Sequence, residues 1–125
     1  MSSVKGRGNK TTELRLRLAL VRNGISGWHL HPKGVAGVPD FFFPKEKVAV
    51  FVDGCFWHGC PRCGHLPKNN SEFWKEKINR TKIRDKRQAS DLKRSGIVVI
   101  RFWEHDLANQ LDRCLMKIQK VVFAV

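Results

Sequence analysis

The run Val48-Ala49-Val50-Phe51-Val52 is apolar at every position and closes on Asp53. Such a run reads as a strand over Lys47 to Asp53. Just upstream, Pro39-Asp40-Phe41-Phe42-Phe43 reads as another strand, ending at Pro44. Only Pro44, Lys45 and Glu46 separate the two, so a hairpin is expected. Ile97 to Trp103 is the third clear strand. Asn70 or Ser71 caps a helix running to about Arg94, with a thin apolar face at Trp74, Ile78 and Ile83, and Gly96 ends it. A helix between two strands allows a mixed sheet with helices packed on it. An earlier helix opens at Thr11-Thr12-Glu13, where Thr supplies the cap and Glu13 meets the helix dipole. Leu14, Leu18 and Val21 share one face of it, and Asn23-Gly24 stops it. Gly24 to Val38 is loop-rich. Asp106 to Val122 closes the chain as an amphipathic helix carrying Leu107, Leu111, Leu115 and Ile118. The expected class is α/β.

The length of 125 residues suits one domain. Residues 1–10 are small, polar and basic and read as a flexible arm, leaving 11–125 as the folded unit. Lys and Arg number 24 against 11 Asp and Glu, a formal net charge of +13. That surplus points to a polyanion, and nucleic acid is the natural partner, because cations that neutralise phosphates release counterions. No apolar run approaches a membrane span, and the first residues hold no apolar signal core.

Chemistry concentrates in the loop after the second strand. Cys55, Cys60 and Cys63 lie close together, with His58 among them and His65 beyond. Cys60-Pro-Arg-Cys63 has the spacing at which two thiolates bind one tetrahedral Zn²⁺. Spacing leaves the fourth ligand open among His65, His105 and Cys114. Two disulfides are the alternative, disfavoured because nothing suggests secretion. The carboxylates form a second constellation. Asp40 follows a proline at a strand start, Asp53 ends the next strand, and Glu13 sits on the first helix. Carboxylates so spaced can hold a hard cation against a phosphodiester, and His58 is a candidate base for the attacking water.

Longer strings are more specific. Phe51-Val-Asp-Gly-Cys-Phe-Trp-His58-Gly-Cys60, then Glu72-Phe-Trp-x-x-Lys77-Ile and Arg84-Asp85, strongly resemble the very short patch repair (Vsr) mismatch endonucleases. So do Thr12-Glu13-Leu14, Val38-Pro-Asp-Phe41 and Ile100-Arg-Phe-Trp-Glu104. The resemblance runs in order over roughly residues 5–107. It implies a restriction-endonuclease-like PD-(D/E)xK core with a structural zinc site. It implies an enzyme that nicks one strand of double-stranded DNA beside a T:G mismatch, leaving a 5′-phosphate and a 3′-hydroxyl. A cytoplasmic, nucleoid-associated monomer of bacterial type, with no membrane partner, goes with that reading.

Residue by residue, the resemblance makes Asp40 a Mg²⁺ ligand, with the Val52 carbonyl beside it, for one ion or two. His58 becomes the catalytic histidine and Asp85 the acid that orients it. Glu13 becomes a helix glutamate near the metals. Cys55, Cys60, Cys63 and His105 become the zinc ligands, His105 standing where the family commonly has Cys. Phe56, Trp57 and Trp74 match aromatics that wedge into the base stack. Phosphate contacts are expected from the second helix, at Lys77, Arg80 and Arg84, and from the basic arm. The sequence departs from the family pattern at Asp53, near the metal, where one branch has His. It also departs in the length of the loop between Cys60 and Pro67, and at Thr81, where Asn is frequent. Two other readings stand beside this one. One is a nickase of a restriction or homing system without mismatch dependence; the other is a non-catalytic, zinc-stabilised DNA-binding module.

Overall fold

The computed structural model describes residues 2–55, 60 and 68–123. Its elements are α1 (Ser2–Arg22), β1 (His29–Leu30), β2 (Phe41–Phe43), β3 (Val48–Asp53), α2 (Ser71–Arg94), β4 (Val98–Trp103), α3 (Glu104–Asn109) and α4 (Leu111–Val122). The strands form one sheet in the order β1-β2-β3-β4. The expected hairpin is present, with β2 antiparallel to β3 and Phe41 opposite Val50. β4 runs parallel to β3, from Val48 opposite Val98 to Asp53 opposite Trp103. A parallel neighbour requires a crossover, and α2 provides it.

β3 is buried along its whole length. Successive side chains point to opposite faces. Val48, Val50 and Val52 therefore join Phe41, Phe43, Ile100 and Phe102 in the larger core, closed by Leu16 and Leu20 of α1, Leu107 of α3 and Leu115 and Ile118 of α4. Ala49 and Phe51 face the other way, into a smaller cluster with Leu92 of α2. The sheet is thus covered by helices on both faces. None of the helices, among the described residues, is long and apolar enough to cross a membrane.

Both long helices stop as expected at glycine. Gly24 (φ 70°) and Gly96 (φ 80°) take the left-handed conformation. The Ile25 and Ile97 N–H groups then donate to the carbonyls of Leu20 and Leu92 at 2.9 Å. That five-residue closure satisfies carbonyls left over at a helix end.

Four expectations change. Helix α1 begins at Ser2 and passes through Thr11, so Thr11 does not cap it. No proline upstream interrupts the backbone ladder. The buried face of α1 is Thr12, Leu16, Ala19 and Leu20, whereas Leu14, Leu18 and Val21 are exposed. Ile83 likewise faces out from α2, whose one fully buried residue is Leu92. The terminal helix is broken at Gln110 (φ −136°, ψ 48°) into α3 and α4.

The α1 assignment has a direct test. Leu16 is fully buried and Leu18 is 44% exposed. Leu16→Ala is expected to destabilise the protein by about 2–5 kcal/mol, and Leu18→Ala by less than about 0.5 kcal/mol, in denaturant unfolding.

Candidate functional site

Asp40 stands immediately before β2. Its Oδ2 accepts a 2.6 Å hydrogen bond from the Val52 N–H of β3. Its Oδ1 lies 3.5 Å from Nε2 of His31, and the same nitrogen lies 3.0 Å from Glu13 Oε2 on α1. Glu13, His31 and Asp40 each present one ligand atom, all within 4.8 Å of one another. Two ligands each ~2.1 Å from an ion and at right angles are about 3 Å apart, so this donor set fits a divalent cation. His31 was not singled out by the sequence, because it lies in the loop-rich stretch ahead of Pro39.

Burial raises the Asp40 pKa to about 6, with the charges of Glu13 and Asp53 acting in the same direction. The Val52 N–H and His31 oppose the rise without cancelling it. The charged carboxylate is therefore disfavoured in the fold, and a cation beside it would offset that.

On the other face of β3, Asp53 is gripped by Arg101 of β4. Arg101 Nε lies 3.0 Å from Oδ2 and Nη2 3.3 Å from Oδ1. Nη2 also reaches Asp85 Oδ1 of α2 at 3.5 Å. The guanidinium stacks over the Phe51 ring, 4.3 Å from its centroid. Register explains the meeting, since Phe51 and Arg101 are neighbours across the parallel pair and Asp53 is two residues on. The sequence placed Asp53 among the carboxylates near the metal; the fold pairs its carboxylate with Arg101. An arginine inside an otherwise apolar strand was the available signal for this group. These residues line a cleft of about 380 Å³, together with Asp40, Val52, Arg84 and Gln88. Gly37 closes one wall: a Cβ there would lie 3.0 Å from Gln88 Oε1 and 3.2 Å from the Phe51 ring, and its φ is 76°.

Beyond the ends of β3 and β4 lies a sulfur–nitrogen cluster. His105 Nδ1 is 3.4 Å from Cys55 Sγ and 3.6 Å from Cys60 Sγ. Ligands at ~2.3 Å (S) and ~2.1 Å (N) around a tetrahedral ion are about 3.6 Å apart, so the donors fit zinc in chemistry and spacing. His105 Nε2 faces Asp106 Oδ1 at 3.3 Å, the kind of contact that orients a ligating imidazole. The Cys55 N–H donates to Glu104 Oε1 at 3.1 Å. Cys63 and His65 lie outside the described residues. Cys114 is buried in the larger core with its thiol pushed up to about 11 by burial, and it is not part of the cluster.

The family description "DNA mismatch endonuclease Vsr" matches residues 1–63. The type II nicking enzyme V.NmeDIP of Neisseria meningitidis serogroup C is 40% identical over 125 residues, covering 98% of this chain and 82% of its own. The type II nicking enzyme V.HpaIIP of Haemophilus parainfluenzae is 33% identical over 124 residues, covering 98% and 86%. The DNA mismatch endonuclease Vsr of Escherichia coli is 34% identical over 94 residues, covering 74% and 59%. The chain belongs to the Vsr family.

Family membership gives the reaction class, DNA endonuclease. The remaining Vsr-type positions divide as follows. Trp74 is half-buried near the start of α2, with its ring edge-on to exposed Phe73. Lys77 Nζ lies 5.6 Å from the Trp74 centroid. Lys77, Arg80 and Arg84 are all exposed on α2, and Arg80 pairs with Glu76 at 2.6 Å. Thr81 Oγ1 bonds back to the Lys77 carbonyl at 3.2 Å. Phe56, Trp57 and His58 lie outside the described residues.

Two measurements follow from this geometry. The raised Asp40 pKa means that its contribution to stability is intact below about pH 4 and is lost as pH rises through about 6. The loss is at most about 3 kcal/mol. Without added Mg²⁺, Asp40→Asn, which keeps an acceptor for the Val52 N–H, should raise the unfolding temperature near pH 7.5 and match wild type near pH 4. Purified protein should carry stoichiometric zinc by elemental analysis, and Cys60→Ser should lose most of it.

Proposed function

We propose that this Vsr protein nicks one strand of duplex DNA at a T:G mismatch, as a Mg²⁺-dependent hydrolase built on a restriction-endonuclease-like PD-(D/E)xK core. The observation that carries the reading is Asp40. This carboxylate is partly buried, lines the cleft and stands within 4.8 Å of a ligand atom of Glu13, in a chain of this family. The net charge of +13 suits a DNA substrate.

In this reading Asp40 and the Val52 carbonyl would hold one or two Mg²⁺ ions. Bound there, Mg²⁺ would polarise the scissile phosphoryl group and offset its growing negative charge. His58 takes the proton of the attacking water at a ring nitrogen. Asp85 accepts a hydrogen bond from the other nitrogen, which fixes the tautomer. Arg101 anchors Asp85 from the β4 side. Glu13 adds negative charge beside Asp40 through its position on α1. Cleavage leaves a 5′-phosphate and a 3′-hydroxyl. Phe56, Trp57 and Trp74 wedge into the stack beside the mismatch, and Lys77, Arg80 and Arg84 hold phosphates without reading bases. Cys55, Cys60, Cys63 and His105 would hold a structural zinc, which would tie the loop after β3 to the end of β4. Residues 1–10, which α1 takes in from Ser2 onward, act as a basic arm on DNA ahead of a single domain over 11–125. The protein works as a monomer, because one site cuts one strand, and it acts in the bacterial cytoplasm.

A second reading, nicking without mismatch dependence, is favoured by one observation. Several similar proteins bear the name type II nicking enzyme rather than mismatch endonuclease. One assay separates the two. A labelled duplex with a single T:G mismatch and its fully paired twin are incubated with Mg²⁺ and wild type, Asp40→Ala or His58→Ala. The expected result is a nick in the mismatched duplex alone, abolished by Asp40→Ala and slowed about 10²–10⁴-fold by His58→Ala. Equal nicking of both duplexes would move the enzyme to the second reading. Wild-type rates in Asp40→Ala would overturn the assigned site.

A further inference from the structure

His31 has no part in the roles assigned above, yet its imidazole sits between the two acids of the Asp40 site. Its Nε2 lies 3.0 Å from Glu13 Oε2 and 3.5 Å from Asp40 Oδ1. Asp40 divides its two oxygens. Oδ2 is taken by the Val52 N–H, so Oδ1 is the one turned toward His31 and Glu13. The three donors come from three separate places: α1, the residue after β1, and the residue before β2. The backbone is committed to this arrangement. His31 adopts φ 46°, in the left-handed region, and its N–H donates to the Asp40 carbonyl at 3.3 Å. The His31 side chain is 51% exposed. A contact through an imidazole so exposed offsets little of the cost of a left-handed backbone.

We infer that His31 Nε2 is a metal ligand, so that Glu13, His31 and Asp40 form a mixed carboxylate–imidazole centre suited to a first-row transition cation such as Mn²⁺ as well as to Mg²⁺. The inference rests on the reading of Asp40 as a metal ligand and adds a nitrogen to an otherwise all-oxygen site. Mg²⁺ is satisfied by oxygens, whereas an imidazole donor adds affinity for transition metals. A site with this donor set therefore discriminates less in favour of Mg²⁺ than a purely carboxylate one.

The test uses Mn²⁺ alone as probe and the full-length, zinc-loaded protein. Pulsed electron paramagnetic resonance reads nitrogen coupling to bound Mn²⁺, and continuous-wave titration reads affinity. His31→Ala removes the donor. His31→Asn keeps a residue that tolerates the left-handed backbone. The expected result is loss of nitrogen coupling in both variants and at least about tenfold weaker Mn²⁺ binding in His31→Ala. Retained coupling, or unchanged or tighter Mn²⁺ binding in His31→Ala, would overturn the inference and leave His31 as a hydrogen-bond partner of Glu13 that competes with the metal. Asp40→Asn separates the two levels of the argument. If Mn²⁺ binding survives Asp40→Asn, the metal-centre reading itself fails, and the inference with it. If binding is lost in Asp40→Asn but unaltered in His31→Ala, only the role of His31 falls.

Discussion

The 2.6 Å hydrogen bond from the Val52 N–H to Asp40 Oδ2 joins the candidate site to the centre of the sheet. Asp40 lies outside β2, where nothing in the ladder would hold its side chain. The bond to β3 fixes its orientation and leaves one oxygen to face His31 and Glu13. β3 can serve as that anchor because it is hydrogen-bonded on both sides and buried throughout. The short β2–β3 hairpin then sets the register that brings the residue before β2 alongside the last residues of β3. A slip of one residue would send every side chain of β3 to the other face. Val50 and Val52 would leave the larger core, and Asp53 would enter it.

That alternation also explains why the two faces differ in character. The face bearing Val48, Val50 and Val52 is sealed by three helices and carries no charge at its centre. The opposite face is covered by α2 alone, and its apolar cluster is small. There the sheet end is held by charge instead, with Asp53, Arg101 and Asp85 linking β3, β4 and α2. A buried carboxylate such as Asp53 is costly without a partner, and the bidentate Arg101 contact supplies one. Polar groups so arranged leave an open cleft where an apolar layer would have filled it.

The parts of this architecture written in local order were legible in the sequence. The hairpin, the crossover helix with its glycine stop and the third strand all follow from short-range patterns. The hidden parts depend on tertiary packing. Helix α1 offers two apolar stripes, and periodicity cannot tell Leu14-Leu18-Val21 from Leu16-Ala19-Leu20 until the sheet chooses one. Thr12 joins the buried stripe despite its hydroxyl, which weakens the pattern further. The split at Gln110 leaves the apolar spacing of Leu107, Leu111 and Leu115 nearly intact, so the spacing did not reveal it. Asp40 and Glu13 were legible through the family resemblance. His31 was not, because a histidine in a loop has no periodic context. Arg101 was visible as a charge in an apolar strand, but its partners only emerge from the parallel register.

The same register accounts for the position of the sulfur–nitrogen cluster. In the parallel pair Asp53 stands opposite Trp103. Two residues beyond each strand end are Cys55 and His105, and they meet. Cys60 returns to that point through the bond from its N–H to the Cys55 carbonyl at 2.8 Å. Parallel strands put both of their carboxyl ends at one edge of the sheet, the edge where open α/β folds place their ligands. Here that edge holds the cleft and the cluster together. A metal bridging Cys55, Cys60 and His105 would therefore clamp the strand ends that present Asp53 and Val52, and it would do so from outside the cleft. The cluster beyond the strand ends is thus separate from the carboxylates that line the cleft.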